Sequence, residues 1–248
     1  MVLTLVIIGA VGGFLSGLLG IGGGVVLLPL LVYGGQIPIK MATSVSMVVI
    51  IFASASGMLA HGARGNLDLS TGLRMGVASI SGALVGSLLS GVFPDALFYW
   101  LYISLVAAAA VVLLVPRHEE RARHGDSQKH KLTPVFCGLF QGSVTGVLGI
   151  GGGFIVVPLM VYFLKMKIHQ AVGTSLIVIL FSAVAGLFGK VAVGHFDIQT
   201  IVWVIVGVVP TTQTGAWAAQ KASPRILRLI LAGLLIGILV WAVGNSVL

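Results

Sequence analysis

Gly13-Phe14-Leu15-Ser16-Gly17-Leu18-Leu19-Gly20-Ile21-Gly22-Gly23-Gly24 is an apolar helical stretch that runs into a glycine cluster, with Pro29 shortly beyond. It returns 129 positions later as Gly142-Ser143-Val144-Thr145-Gly146-Val147-Leu148-Gly149-Ile150-Gly151-Gly152-Gly153, followed by Pro158. Two copies of a glycine-interrupted apolar helix predict an internal duplication. In a membrane protein, matched interruptions in two halves point to a transport site. A chain that stops being helical inside lipid strands its N–H and C=O groups, and only a protein-lined or wet cavity tolerates that.

Composition supplies the solvent. Of 248 residues 58% are hydrophobic and 8% charged, with a mean hydropathy of +1.13. A soluble domain carries about 25% charged residues. The chain is therefore read as an all-α polytopic membrane protein. Met1-Val2-Leu3-Thr4-Leu5 has no basic n-region, so the first apolar run is expected to be a membrane segment and not a cleavable leader. Cys137 stands alone, which excludes an internal disulfide and a CxxC pair. No H-E-x-x-H, G-x-S-x-G or mid-membrane carboxylate pair is present, so no catalytic residue, metal site or cofactor is expected.

The net charge of +8 is unevenly placed. Arg117, Arg121, Arg123, Lys129 and Lys131 face Glu119, Glu120 and Asp126 within residues 116–134, the one sustained hydrophilic stretch. It divides the chain into a first membrane repeat (1–115), a basic linker (116–134) and a second repeat (135–248). Short loops rich in Lys and Arg stay cytoplasmic, and such a linker favours lipid headgroups over nucleic acid.

Each half reads as four hydrophobic units: 2–33 (broken at the glycines), 42–60, 71–92 and 96–115, then 135–163, 171–189, 199–219 and 226–246. The 129-residue offset pairs Gly9 with Gly138, Tyr33 with Tyr162, Gly57 with Gly186, Asp68 with Asp197, and Gly86 with Gly215. Between the tyrosines and Gly57 a slip of two aligns Ala42-Thr43-Ser44 with Gly173-Thr174-Ser175. Four spans per half around a cytoplasmic linker put both termini in the cytoplasm. That also places His61 and Arg64 inside, in agreement, but sends Lys221 and Arg225 outside. If each glycine break instead folds the chain back, each half has an odd count and the repeats are inverted. The sequence leaves this parity open, with eight spans the working expectation.

Triple glycines reach φ > 0 and expose bare N–H groups. Each cluster precedes a helix start, at Val25 or Phe154, whose end carries partial positive charge. That combination binds anions without a basic side chain. The spaced glycines Gly13/Gly17, Gly82/Gly86 and Gly142/Gly146 read instead as close helix packing. Asp68, Asp95 and Asp197 lie near span ends, leaving no carboxylate at mid-membrane for cation handling. Ser16, Thr145, Gln141 and the Thr43-Ser44 and Thr174-Ser175 pairs supply polar groups near the breaks. The Thr-Ser pairs could hold a substrate or simply cap their helices. His61 and Lys190 occupy equivalent positions ahead of Gly65/Gly194 and Asp68/Asp197, as gating or proton-linked groups or as snorkelling side chains. His195 reads as a solvated loop residue.

The paired Gly-x2-Ser/Thr-Gly-x2-Gly-Ile-Gly-Gly-Gly-x4-Pro segments, each followed by a Thr-Ser helix start and a basic–Gly–Asp turn, resemble the TauE/SafE sulfite exporter family. The resemblance covers about residues 9–244. It implies a four-plus-four transporter in the bacterial inner membrane, moving sulfite or an organosulfonate such as sulfoacetate by alternating access. The substrate region it implies is Gly20, Ile21, Gly22, Gly23, Gly24, Thr43, Ser44, Gly149, Ile150, Gly151, Gly152, Gly153, Thr174 and Ser175. A passive anion channel, or a carrier of another small anion, is the alternative. The expected partners are a small anion and the lipid bilayer, with self-association into a homo-oligomer left open.

Overall fold

The computed structural model describes residues 2–89, 95–114, 132–191 and 197–246. Most of the 116–134 linker, with Gly194 and His195, lies outside the described residues. The described elements are α1 (Val2–Leu19), α2 (Gly24–Pro29, continued by a π-helical turn, Leu30–Gly34), α3 (Ile39–Gly62), α4 (Leu69–Leu89) and α5 (Asp95–Leu114). Then follow α6 (Thr133–Leu148), α7 (Gly153–Tyr162), α8 (Ile168–Val191), α9 (Ile198–Lys221) and α10 (Pro224–Ser246). Local chemistry sets several boundaries. Pro134 and Pro224 open α6 and α10, where a missing N–H costs nothing. Asp197 caps α9 by accepting from the Gln199 amide at 3.1 Å. Among the described residues six helices are long and apolar enough to cross a membrane, in α1, α3, α4, α8, α9 and α10. The chain is a multi-pass membrane protein.

The glycine breaks reverse the chain. A Cβ on Gly12 would meet the Leu27 side chain, and one on Gly34 would meet Ile8, so α2 and its π turn run back along α1. Gly34, Gly35 and Gln36 finish beside Thr4 and Leu5, where α1 began. The start of α7 likewise lies against Gln141 and Thr145 of α6, through Gly152. From there α3 crosses, α4 returns and α5 crosses again, so the end of α5 at Leu114 and the start of α6 lie at the opposite end from Val2. This corrects the eight-span expectation with both termini on the linker side. The physical reason is backbone: Gly20, Gly22 and Gly23 take φ of +67°, +67° and +75°, as Gly149, Gly151 and Gly152 take +69°, +77° and +54°.

Glycine also sets the packing. Down the parallel pair α1 and α9, Gly9 sits on Val204, Gly13 on Val208 and Gly17 on Thr212. Down the parallel pair α4 and α6, Gly138 sits on Met75, Gly142 on Ser79 and Gly146 on Ala83. In every case a Cβ would strike the partner's carbonyl oxygen, so the helices are in backbone contact. Between these pairs α3 and α8 cross antiparallel, with Gly57 beside Leu176 and Gly186 beside Met47. Each contact recurs when both partners move by 129 positions.

The helix bounds keep the same offset, for example Ile39–Gly62 against Ile168–Val191. The expected slip of two before Gly57 is therefore absent. The Thr-Ser dipeptides match by composition only, and Ser46, not Ser44, is the positional counterpart of Ser175.

This topology also collects the charge. Among the described residues, Arg64, Arg74, Lys165, Lys167, Lys221, Arg225 and Arg228 lie at the end where α5 stops and α6 starts, and Lys40 and Lys190 lie toward the other. The misplaced Lys221 and Arg225 of the eight-span reading now fit the positive-inside bias. Reporter fusions should read cytoplasmic in the linker and non-cytoplasmic after Ser246. The same compartment for both would reject the reversal.

Candidate functional site: two crossed glycine tips

The reversals bring residues 20–24 and 149–153 into contact with each other. A Cβ on Gly24 would strike the Ile150 carbonyl oxygen, and one on Gly153 the Ile21 carbonyl oxygen. Gly22 and Gly151 both face Ile50 and Ile179. These isoleucines sit midway along the 24-residue helices α3 and α8, so the tips cross near mid-membrane. Every tip residue is buried, and Ile21 is 0% exposed.

The backbone groups at the crossing are only partly used. Gly20 and Gly149 donate to Ser16 and Thr145 carbonyls at 2.9 and 2.8 Å, closing α1 and α6. Val26 and Leu27 donate to Gly23, and Ile155 and Val156 to Gly152, opening α2 and α7. Between them, among the described residues, the amides of Ile21 to Gly24 and Ile150 to Gly153 find no acceptor. Buried amides without partners are rare because each costs about a lost hydrogen bond. Amides left free at a helix start are donors of the kind that can bind an anion.

The two tips differ in their polar support. Behind the second, the Gln141 amide nitrogen reaches Thr145 Oγ1 at 2.7 Å, Ser182 Oγ at 3.1 Å and the Gly151 carbonyl at 3.4 Å. Gly12, Ser16 and Ala53 stand at the equivalent places behind the first, where Ser16 Oγ is buried without a partner. From the sequence Gln141 could only be placed ahead of the motif; its contact with Ser182 joins helices distant in the chain.

Of the Thr174-Ser175 pair, only Ser175 touches a tip. Its hydroxyl lies 2.6 Å from the Gly20 carbonyl and 2.7 Å from that of Val172. Thr174 Oγ1 instead accepts from the Asp68 amide at 2.9 Å, tying α8 to the α3–α4 turn. Thr43 and Ser44 lie in the second turn of α3, at the far end, with Ser44 buried. Ser46 Oγ, the counterpart of Ser175, is buried without a partner.

His61 is 1% exposed and its Nε2 lies 2.9 Å from the Gly17 carbonyl. Lys190 ends α8 at the opposite side, its side chain outside the described residues. Asp68 and Asp197 both serve helix starts: Asp68 accepts from the Thr71 amide and hydroxyl at 3.1 and 2.7 Å, and Asp197 from the Thr200 hydroxyl at 2.5 Å. The Thr200 bond, against slight desolvation and helped by backbone amides, holds the Asp197 carboxyl below its ordinary range. A depressed carboxylate pKa gives stability that is present at neutral pH and lost only as pH falls through the folded value.

A recess of about 590 Å³ lies elsewhere, between α4 and α8. Ile80, Leu84, Leu180, Phe181, Val184 and Phe188 line it, and such an apolar wall suits hydrocarbon and not an anion.

Comparison with known proteins agrees with this architecture. The family model for the sulfite exporter TauE/SafE matches residues 5–242. The chain is 30% identical over 223 residues to the probable membrane transporter protein YdhB of Bacillus subtilis, covering 88% of this chain and 89% of that one. It is 25% identical over 247 residues to a probable membrane transporter protein of Methanocaldococcus jannaschii, covering 93% and 91%. No solved structure matches. With the glycine tips and helix pairs laid out along nearly the whole matched length, the chain belongs to the TauE/SafE sulfite exporter family of membrane transporters, and is not an enzyme.

Proposed function

We propose that this chain is a secondary transporter that carries a small sulfur-containing oxyanion, sulfite or an organosulfonate such as sulfoacetate, across the inner membrane by alternating access. Two inverted repeats, residues 2–114 and 133–246, rock about the crossed tips, with the basic linker in the cytoplasm. The observation that carries this reading is the group of unsatisfied amides at Ile21 to Gly24 and Ile150 to Gly153. They offer donors and no side-chain charge, which suits an oxyanion that must be bound and then released. Contact between the tips favours a carrier over an open pore: Gly24 and Gly153 abut opposing carbonyls, and no continuous channel is needed for a rocking mechanism.

A thermal-shift series on the purified protein tests it. Sulfite or sulfoacetate should raise the melting temperature, since a ligand that binds only the folded state stabilises it by mass action. Counterflow of the stabilising anion in proteoliposomes should follow. Stabilisation by cations or neutral solutes alone would reject an anion carrier.

A further inference from the structure

We infer that Arg64 and His61 form a second oxyanion-binding station at the linker end of α3, beside the end of α1 that opens into the first tip. The inference rests on the anion reading above and adds a place where the anion is first held. Both residues belong to the α3–α4 turn, where the Arg64 and Asn66 amides donate to the His61 carbonyl at 3.2 Å.

Two polar atoms here are buried without a partner, Arg64 Nη1 and His61 Nδ1. Arginine stays charged in proteins, so an unsatisfied guanidinium N–H calls for an acceptor. A buried donor left bare is costly, and more so when it is charged. The nearest acidic group in sequence, Asp68, is occupied by Thr71 at the start of α4.

His61 has a defined orientation. Because a carbonyl only accepts, Nε2 must donate to Gly17, which leaves Nδ1 as the free atom. Nδ1 accepts from a protonated oxyanion when the ring is neutral and donates to an unprotonated one as imidazolium. Both states are useful toward an oxyanion with an exchangeable proton.

The station leads to the tips. Gly17 lies one turn before Gly20, whose carbonyl is hydrogen-bonded by Ser175 Oγ. Gly173 and Thr174 pack against Asn66 and Asp68 of the same turn. His61, through the Gly17 carbonyl, therefore sits beside the end of α1 that opens into the first tip.

A soluble oxyanion and a lipid phosphate share the required chemistry, so the test separates them. Thermal shift with sulfite, sulfate and acetate is measured on the wild type, Arg64→Gln, Arg64→Lys and His61→Gln, with and without phosphatidylglycerol. In lipid-free detergent, sulfite should stabilise the wild type, and Arg64→Gln should raise its half-saturating concentration by about 10- to 100-fold, the loss of one charged hydrogen bond. Arg64→Lys should recover part of that loss. Without ligand, Arg64→Gln should melt no lower than the wild type, because it removes a charged donor whose Nη1 is left without a partner; a merely structural arginine would lower it.

Equal sulfite responses in wild type and Arg64→Gln overturn the station and leave the tip reading standing. A wild type stabilised by none of the three anions overturns both. Stabilisation through Arg64 by phosphatidylglycerol alone assigns the site to lipid and overturns the station.

Discussion

Replacing Gly24 or Gly153 with alanine is expected to abolish transport. The added methyl would strike the carbonyl of Ile150 or Ile21 on the opposing tip. Backbone cannot swing aside as a flexible side chain can, so the crossing must open. Overpacking a tight core costs about 1–3 kcal/mol and occasionally more. The melting temperature should therefore fall together with activity. Gly233→Ala on α10 is the control: nothing lies within 4 Å of its added methyl, and alanine is favoured over glycine in a helix by about 1 kcal/mol. That variant should transport normally and melt no lower. Wild-type transport in both Gly24→Ala and Gly153→Ala would remove the crossing as a working contact.

Particular residues decide how far the sequence could be read. Membrane class follows from composition, because 8% charge over 248 residues leaves too little polar surface for a water-facing fold. The tips are legible because their chemistry is backbone chemistry, and a run of three glycines announces it directly. Parity is not legible in the same way. Three glycines permit a kink that continues or a loop that returns, and only the contacts Gly12–Leu27 and Gly34–Ile8 distinguish them. The warning lay in Lys221 and Arg225, whose charge disagreed with eight spans.

Side-chain sites were less accessible. Thr43-Ser44 resembles Thr174-Ser175 as a dipeptide, yet packing fixed by Gly57 and Gly186 holds α3 and α8 at a constant offset. Ser46 thus takes the place that the dipeptide match gave to Ser44. Arg64 read only as a topology charge, since the burial of its Nη1 shows only in the folded chain.

The strongest test of the duplicated architecture compares mirror substitutions. Gly13 on α1 meets Val208 and Thr211 of α9, and Gly142 on α6 meets Ser79 of α4. The two sites are related by the 129-residue offset, as are their partners Ser79 and Val208. Gly13→Leu and Gly142→Leu should each drive apart a helix pair in backbone contact. Leucine is a good helix former, so local propensity should not fall and the loss comes from packing. In lipid there is no hydrophobic penalty for separated helices, and association depends on van der Waals contact. Each variant should therefore lose most of its folded, transport-competent protein, seen as a melting temperature lowered by several degrees and little monodisperse material on size exclusion. The double variant should be worse than either. If Gly142→Leu were severe while Gly13→Leu stayed at wild-type stability and activity, the pairs α1–α9 and α4–α6 would not be equivalent scaffolds. A carrier built from two interchangeable halves would then have to give way to one in which a single half is rigid and the other moves.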